Sequence, residues 1–328
     1  MRRTWSLSLL GLAFAASCEA TAIELEPLGG STAVGRAGRI QAAHLGRAHG
    51  DPQGLAALRA AFAAANPGYD IEYVAPLIRL DAVPVARVLF VQTGAGDATV
   101  TAVGRETSVT AGLSVGDVVL VRAGETLRAE GGLSVLCFRV PLAPPAGLPT
   151  FVRPDWDPGI TDTPGGCAEE SGAYRRICLT WRPEVGRYVW HALNAHRVRI
   201  EDSFSHYHPV EGGFDELYLV QAVQPGAQLV TSERVGRIER PDEVTAAEAA
   251  TLLVRRELSA GDLLYLPRGT MHRGLGGVLT QVVTVPGFVP GAEIGLDHHL
   301  RAICERLGLA GGRALPYHAA ASLAQMVK

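Results

Sequence analysis

Short apolar runs, separated by Gly and Pro, constrain the fold of this chain more than any other feature of its sequence. The 328 residues include 38 Gly and 20 Pro. Between these breaks stand Val/Leu/Thr-rich runs, such as residues 98–103 and 133–140, which have the length of strands and are short for helices. The pattern predicts an all-β-dominated protein whose antiparallel strands are joined by turns.

Three segments depart from this strand pattern and predict a few helices. Residues 51–66 are rich in Ala and Leu, with Asp51 as the helix cap and Pro52 in the first turn. Residues 242–258 and 293–307 also have helical patterns.

Residues 141–166 hold seven Pro and four Gly, too many for a regular element. We therefore expect two domains, residues 23–150 and 151–328.

The amino terminus predicts export. In residues 1–22, Arg2 and Arg3 precede an apolar run that ends in small residues, which is typical of a secretory signal peptide. The run is shorter than the roughly 20 apolar residues of a membrane-spanning helix. The residues before Cys18 resemble a bacterial lipobox, in which Cys18 would carry a lipid, and cleavage after Ala20 or Ala22 is the alternative. We expect a periplasmic protein, either free or anchored to the membrane as a lipoprotein.

The charge of the chain argues against nucleic-acid binding, and the spacing of its cysteines argues against a cysteine-based zinc or redox site. Thirty basic and 33 acidic residues give a net charge of -3 without a block of Lys or Arg, so we expect no nucleic-acid partner. The sequence contains no CxxC pair, so its cysteines do not predict a zinc or redox site. Cys137 lies in an apolar run and predicts a buried thiol. Cys167 and Cys178 could pair in an oxidising compartment, and this disulfide stays open.

Histidines indicate where the chemistry lies, since eight of the ten are in the second half of the chain. His206 and His208 stand two apart at the end of an apolar run, so in a strand both imidazoles point the same way. Glu216 opens the next strand-like run. Farther on, His272 follows a Pro-Arg-Gly turn at the end of another apolar run.

These two segments resemble the paired motifs of the cupin superfamily, small jelly-roll-like β-barrels that hold a metal with three His and one Glu. The second motif matches from Gly261 through His272, and only the trailing Asn position differs, where Gly276 stands. The first motif has Ile200 in place of its leading Gly, and its carboxylate is spaced farther from the HxH pair than is usual.

The resemblance implies a set of metal ligands. They are His206, His208, Glu216 and His272. Glu211 stays open as a rival carboxylate, although no strand follows it directly. Three imidazoles and one carboxylate suit one divalent transition metal, with Fe, Mn or Zn preferred and Ni or Cu left open.

The first half carries an altered copy of the second motif. Residues 116–127 follow the same template, but Arg122 replaces the Pro and Leu127 replaces the ligand His. The resemblance therefore implies a bicupin of two β-barrels with a few peripheral helices. Its amino-terminal barrel would be degenerate and free of metal, and its carboxy-terminal barrel would bind the metal.

Strand parity suggests which side chains surround the metal. Asp202 and Phe204 share the face of His206, and Tyr218 shares that of Glu216, so all three should line the barrel interior. Tyr218 is a candidate for proton transfer. The arginines beside the Pro-Gly turn, Arg268 and Arg273, are candidates to clamp a carboxylate. The alternatives are a packed Tyr and a solvated Arg rim.

The predicted function is an exported, metal-dependent bicupin enzyme acting on a small polar molecule, for which a carboxylate is one option. Oxygenase, decarboxylase, lyase and isomerase chemistry all remain open, because a fold does not select a reaction. An exported protein that binds a metal or a ligand without turnover is the alternative. The loop 209–215 and the insertion 242–258 can form a lid or a homodimer contact.

Overall fold

Antiparallel strands dominate the computed structural model, which describes residues 38–46, 51–102, 107–165 and 174–328. The predictions for residues 1–22, including the lipid on Cys18, and the position of Cys167 lie outside these ranges. The all-β-dominated class predicted from the sequence is confirmed. Among the described residues, no helix combines the length and the apolar character needed to cross a bilayer.

Most strands of the first half surround one core, whereas the first of them, Gln41–His44, pairs with the strand Asp262–Leu266 of the second half. In chain order they are β1 (Gln41–His44), β2 (Asp70–Val74), β3 (Arg79–Leu80), β4 (Ala86–Thr93), β5 (Gly96–Ala102), β6 (Ser108–Leu113), β7 (Val118–Val121), β8 (Glu125–Ala129), β9 (Ser134–Val140) and β10 (Phe151–Val152). One sheet has the order β10-β7-β4-β9-β2 and a second has the order β3-β8-β5-β6. Alternate residues of β4 and β7 pack against the second sheet, which closes a β-sandwich core.

The second half is built around one long strand. Its strands are β11 (Arg175–Leu179), β12 (Asn194–Asp202), β13 (His206–Tyr207), β14 (Asp215–Val223), β15 (Gln228–Ser232), β16 (Val254–Glu257), β17 (Asp262–Leu266), β18 (Met271–Val285) and β19 (Ile294–Gly295). The later part of β18 pairs with β12 and β14, whereas its beginning pairs with β13 and β15. The strand therefore serves both layers of a barrel-like sheet.

Gly276 lies where β18 passes from one layer to the other. Its φ is +79°, and that of Gly277 is +80°. Positive φ is costly for most residues, but Gly adopts it freely and Asn tolerates it. Gly276, which stands where the resemblance expects Asn, therefore adopts this conformation without strain.

Helices fill the space around the sheets. They are α1 (Pro52–Ala65), α2 (Val235–Ile238), α3 (Ala246–Ala249) and α4 (Asp297–Leu307). Asp51 caps α1 as predicted, because its side chain accepts a hydrogen bond from the backbone N of Gly54. Phe62 of α1 packs edge-on against Phe138 and Tyr265, with ring centroids 5.9 and 5.7 Å apart. This helix thus joins the core between the two halves.

Two predictions about elements are wrong. Residues 242–258 do not form one helix, because a capping box at Thr245 and Glu248 starts the single turn of α3, and β16 then pairs with β15. The apolar and aromatic run at residues 187–191 also predicts a strand, but it joins no sheet, and only Val189 makes an isolated bridge. Both errors come from long-range pairing, which a local pattern does not reveal. The boundary between residues 150 and 151 stays a prediction.

The described cysteines are buried thiols. Cys137, Cys178 and Cys304 are free, which confirms the prediction for Cys137. Burial raises the pKa of the Cys137 and Cys178 thiols to about 12, so neither is poised to react as a thiolate. Cys178 is among these free thiols, and the position of Cys167 lies outside the described residues.

Candidate metal centre

Four buried side chains converge inside the second half of the chain. They are His206 on β13, His208 just beyond its end, Glu216 on β14 and His272 on β18. One ligand atom from each residue lies within 4.8 Å of the ligand atoms of the others. All four residues are 3% exposed or less. The structure thus brings together the whole ligand set that the resemblance implied.

The alternation of the HxH segment explains how two of these ligands share one face. Tyr207 points away from the cluster, and its hydroxyl donates a hydrogen bond to Glu239 at 2.6 Å. His206 and His208 therefore both point inward, as strand parity predicts. The His208 Nε2 atom lies 3.3 Å from Oε2 of Glu216, and the same oxygen lies 3.5 Å from Nε2 of His272.

The Pro-Arg-Gly turn links the two motifs through its backbone. Gly269 has a φ of +80°, which suits a glycine, and its N–H donates to the carbonyl oxygen of His208 at 2.7 Å. The Thr270 hydroxyl donates to the carbonyl oxygen of Pro267 at 2.5 Å and closes the turn. The turn that leads into His272 therefore also fixes the backbone of His208.

The protonation of the histidines favours metal binding. Nδ1 of His206 lies 3.1 Å from the carbonyl oxygen of Phe204, and His208 hydrogen-bonds to the backbone of Phe214. Burial, followed by the neighbouring His272, holds the pKa of His206 and of His208 well below the ordinary 6.5. A neutral imidazole that donates through Nδ1 keeps a lone pair on Nε2 for a metal.

The Nε2 atoms themselves test whether a metal fits. In the part of the chain that the structure describes, Nε2 of His206, His208 and His272 is buried without a hydrogen-bond partner. Buried polar atoms without partners are costly and rare in folded proteins. A divalent ion bound by these three nitrogens and the Glu216 carboxylate would satisfy all of them at once.

One aromatic ring lies against each imidazole. Phe204 stacks on His206 at 4.5 Å, and Phe214 lies against His208 at 3.9 Å, both between ring centroids. Tyr218 meets His272 edge-on at 6.0 Å. These contacts restrict the rings and exclude water from behind them, so the ligand positions are preorganised.

The rival carboxylate and one of the predicted lining residues lie away from the cluster. Glu211 is exposed, so Glu216 is the carboxylate at the cluster. Phe204 and Tyr218 are buried beside the histidines, but the placement of Asp202 is wrong, since its side chain is 51% exposed and pairs with Arg273. The register shifts between Ile200 and Asp202, and this irregularity breaks the strand parity on which the prediction depended.

Arg268 has protein partners that favour a structural role. Its Nε and its backbone N both donate to Oδ1 of Asp215 at 2.9 Å, and Nη2 donates to the carbonyl oxygen of Ala65 at the end of α1. Arg273 is also engaged, because its Nε donates to the carbonyl oxygen of Ser203. A catalytic role for Arg268 stays a prediction, as does one for Tyr218.

The segments predicted to form a lid differ in position. The loop that ends at Phe214 covers one side of His208. The inserted helices instead pack on α4, where Arg306 donates to the carbonyl oxygens of Pro241 and Val244. Neither a lid movement nor a homodimer contact is tested by these positions.

A cavity of about 220 Å³ opens beside Glu216. Its polar and charged lining residues are Arg175, Thr180, Arg182, Asn194, His196, Glu216, Thr284, Glu293 and Lys328. Oε1 of Glu293 lies 4.0 Å from Nε2 of His206, so the cavity reaches the cluster. A small molecule in this cavity would be next to a metal bound at the cluster.

Several of these lining residues were missed in the sequence. Glu293 and Lys328 come together because the backbone N–H of each donates to the carbonyl oxygen of the other at 3.0 Å. Thr284 and Asn194 reach the cavity through the register of β18 with its neighbours. Nothing local in the sequence indicates the register that brings these residues to the cavity.

The first half has a core residue where its template places the ligand His. Leu127 of β8 is fully buried between the two sheets of the sandwich. The cluster described above is the group of His, Cys, Asp and Glu found with metal-binding geometry among the described residues. That the first half holds no metal stays a prediction from the sequence.

The fold and the site define an all-β protein whose buried three-histidine, one-glutamate cluster fits a metal ion. No family model matches the chain, and no curated protein matches it. Solved structures do resemble it. Bacillus subtilis oxalate decarboxylase is 12% identical, with 74% of this chain and 75% of that chain covered and a TM-score of 0.44.

Two further solved structures show how broad this likeness is. The Lactobacillus farciminis oxalate decarboxylase formate complex is 15% identical, with 75% of this chain and 86% of that chain covered at a TM-score of 0.44. Vicilin from Corylus avellana (hazelnut) is 10% identical, with 66% and 73% covered at a TM-score of 0.39.

Proposed function

We propose that this protein is a metal-dependent enzyme of the cupin type that acts on a small carboxylated molecule. The observation that carries the proposal is the convergence of three buried, unpartnered imidazole nitrogens and the Glu216 carboxylate at one end of a cavity. Fe, Mn and Zn are the preferred ions, and Ni and Cu remain open.

The charge of the cavity favours an anionic substrate. Arg175, Arg182 and Lys328 line it, against the carboxylates of Glu216 and Glu293. A divalent ion at the cluster would add two positive charges, so the loaded cavity would be clearly positive. Apolar side chains, including Leu179 and Phe288, complete the lining and leave room for a short hydrocarbon part.

Two residues of this chain would have distinct roles around a bound ion. Phe214 excludes water from one side of His208, while Glu293 holds a carboxylate in the cavity next to His206. Glu293 is therefore the group placed to accept or return a substrate proton. A divalent ion would supply Lewis acidity or, if redox-active, oxygen chemistry. Decarboxylase, oxygenase, lyase and isomerase reactions are all compatible with these parts.

Turnover of small carboxylates by the metal-loaded protein tests the proposal. The native protein and Glu293→Gln should be loaded with Fe, Mn or Zn and assayed for loss of substrate with and without oxygen. We expect turnover by the native protein, a loss of at least about tenfold in Glu293→Gln, and unchanged metal content. Metal binding with no turnover of any acid would favour the alternative of a non-catalytic binding protein.

We also propose that the protein is exported to the periplasm, free or as a lipoprotein. The basic and apolar pattern of residues 1–22 supports export, and the residues before Cys18 support lipidation. Mass analysis of the mature protein distinguishes the two forms, because a lipid on Cys18 adds a defined mass and Cys18→Ala removes it. A mature chain that retains residues 1–22 would contradict export. Light scattering of the same sample tests the homodimer.

A further inference from the structure

A row of three polar side chains crosses the interior of the barrel from the metal centre. Glu216 on β14 stands opposite Thr284 on β18, and Thr284 stands opposite Asn194 on β12. All three side chains line the cavity. Since neighbouring strands lie about 4.8 Å apart, Thr284 and Asn194 stand roughly 5 and 10 Å from the strand of Glu216.

The two outer members of this row have polar atoms that point to a ligand. Thr284 is 3% exposed, and its Oγ1 makes no hydrogen bond within the described ranges of the chain. Oδ1 of Asn194 is also buried and unpartnered there. Neither residue belongs to the metal cluster or to a hydrophobic core cluster. A buried hydroxyl and amide oxygen that face a cavity are suited to hydrogen-bond its occupant.

The two ends of the row differ in character. At the metal end, the ammonium of Lys328 lies 4.9 Å from the centroid of the Phe204 ring, which stacks on His206. Beyond Asn194, β11 and the residues after it present Ile177 and Leu179 to the cavity, together with Arg175 and Arg182. Lys328 and the metal site at one end, hydrogen-bonding groups in the middle, and apolar side chains between two arginines at the far end suit a small acid with a short hydrocarbon part.

We propose that Thr284 and Asn194 determine substrate specificity, and that the ligand is a short-chain hydroxy acid. Its carboxylate lies at the metal and Lys328 end, and its hydroxyl, on the third or fourth carbon, bonds Thr284 or Asn194. The inference rests on the proposed metal centre. A site built to bond a hydroxyl rejects the analogue that lacks it, because its own polar groups would then stay buried without partners.

Calorimetric titration of the zinc-loaded protein with three acids tests the inference. The probes are butyrate, 3-hydroxybutyrate and 4-hydroxybutyrate, which differ only in the hydroxyl. We expect at least one hydroxy acid to bind about tenfold tighter than butyrate or better. Thr284→Val should remove most of this preference without changing zinc content or butyrate affinity, and Thr284→Ser should restore it.

Thr280→Val is the matched control. Thr280 is buried on the same strand and the same face, four residues along, but it does not line the cavity. Its variant should keep the full preference. If Thr284→Val does not fold, Asn194→Ala tests the same row, and it should weaken the binding of 4-hydroxybutyrate relative to butyrate.

Distinct results overturn this inference and the proposed function. Zinc that binds without any preference for a hydroxy acid overturns the inference alone. So does a preference that survives in Thr284→Val and Asn194→Ala, or no binding of the three acids at about 10 mM, which is weaker than ordinary substrate binding. A native protein that takes up no zinc overturns the metal centre and this inference together.

Discussion

His206 and His272 stand directly opposite each other on antiparallel strands, with their ring centroids 4.3 Å apart. The two residues belong to different motifs, and the pairing of β13 with the start of β18 brings them together. Because β18 also pairs with β14, which carries Glu216, one strand sets the positions of three residues of the cluster. The site is therefore a consequence of sheet register, and it forms with the fold.

The choice of carboxylate gives a first prediction. Glu216→Gln should lower the affinity for a divalent metal by at least about tenfold, because it replaces a charged ligand with a neutral amide. Glu211→Gln is the matched control, since Glu211 is exposed, and its affinity should equal that of the native protein. Competition with a chromophoric chelator measures both. Weaker binding by Glu211→Gln alone would reverse the assignment.

A buried carboxylate next to Glu216 gives a second prediction, for stability. Asp215 accepts hydrogen bonds from Asn66 at 2.6 Å, from the Tyr265 hydroxyl at 2.7 Å and from Arg268 at 2.9 Å. Burial raises the pKa of Tyr265, so its hydroxyl remains a donor. Asp215→Ala should lower the free energy of unfolding by about 3 kcal/mol, since it leaves Arg268 without its buried partner.

Urea denaturation of the metal-free protein measures this loss. Asp81→Ala is the control, because Asp81 pairs with Arg79 at an exposed position where such pairs contribute less than about 1 kcal/mol. Equal effects of the two variants would show that Asp215 does not join α1 to the second half in the way that its contacts indicate.

A partly buried histidine outside the cluster, His196, gives a third prediction, for pH dependence. Burial, with a smaller contribution from Arg175, holds the pKa of His196 well below the ordinary 6.5. The folded protein keeps His196 neutral, while the unfolded chain binds a proton as the pH falls through about 6.5. The unfolded state then binds more protons, so stability falls with falling pH below that value, by up to about 1.4 kcal/mol per pH unit.

His196→Gln isolates this contribution from those of the other histidines. In metal-free protein, the free energy of unfolding should decrease less between pH 7 and pH 5 for the variant than for the native chain. Denaturant titrations at the two pH values give the comparison. Parallel pH profiles for the two proteins would mean that His196 is protonated equally in both states.

The four side chains of the cluster could be located in the sequence because they belong to compact motifs. The HxH alternation and the turn before His272 are local patterns, and each places its side chains through backbone geometry alone. Helix α1 was equally predictable, because Asp51 and Pro52 are local start signals.

The rest of the cavity depended on register and on irregular backbone. Asp202 was misplaced because a register shift in β12 cancels strand alternation there. Thr284 reaches the cavity through the pairing of β18 with its neighbouring strands, and Glu293 reaches it through backbone hydrogen bonds with Lys328. Strand pairing is a long-range property. Local sequence patterns could therefore predict the residues that would hold a metal, but not the residues that would select a substrate.

Elemental analysis of the purified protein tests the metal centre most directly. The native protein and the His272→Ala and His196→Gln variants should be purified without added metal, reconstituted with Fe, Mn or Zn, and desalted. We predict about one equivalent of metal in the native protein and in His196→Gln, whose histidine lines the cavity outside the cluster, and almost none in His272→Ala. Less than about 0.2 equivalents in the reconstituted native protein, or full occupancy in His272→Ala, would contradict the metal centre.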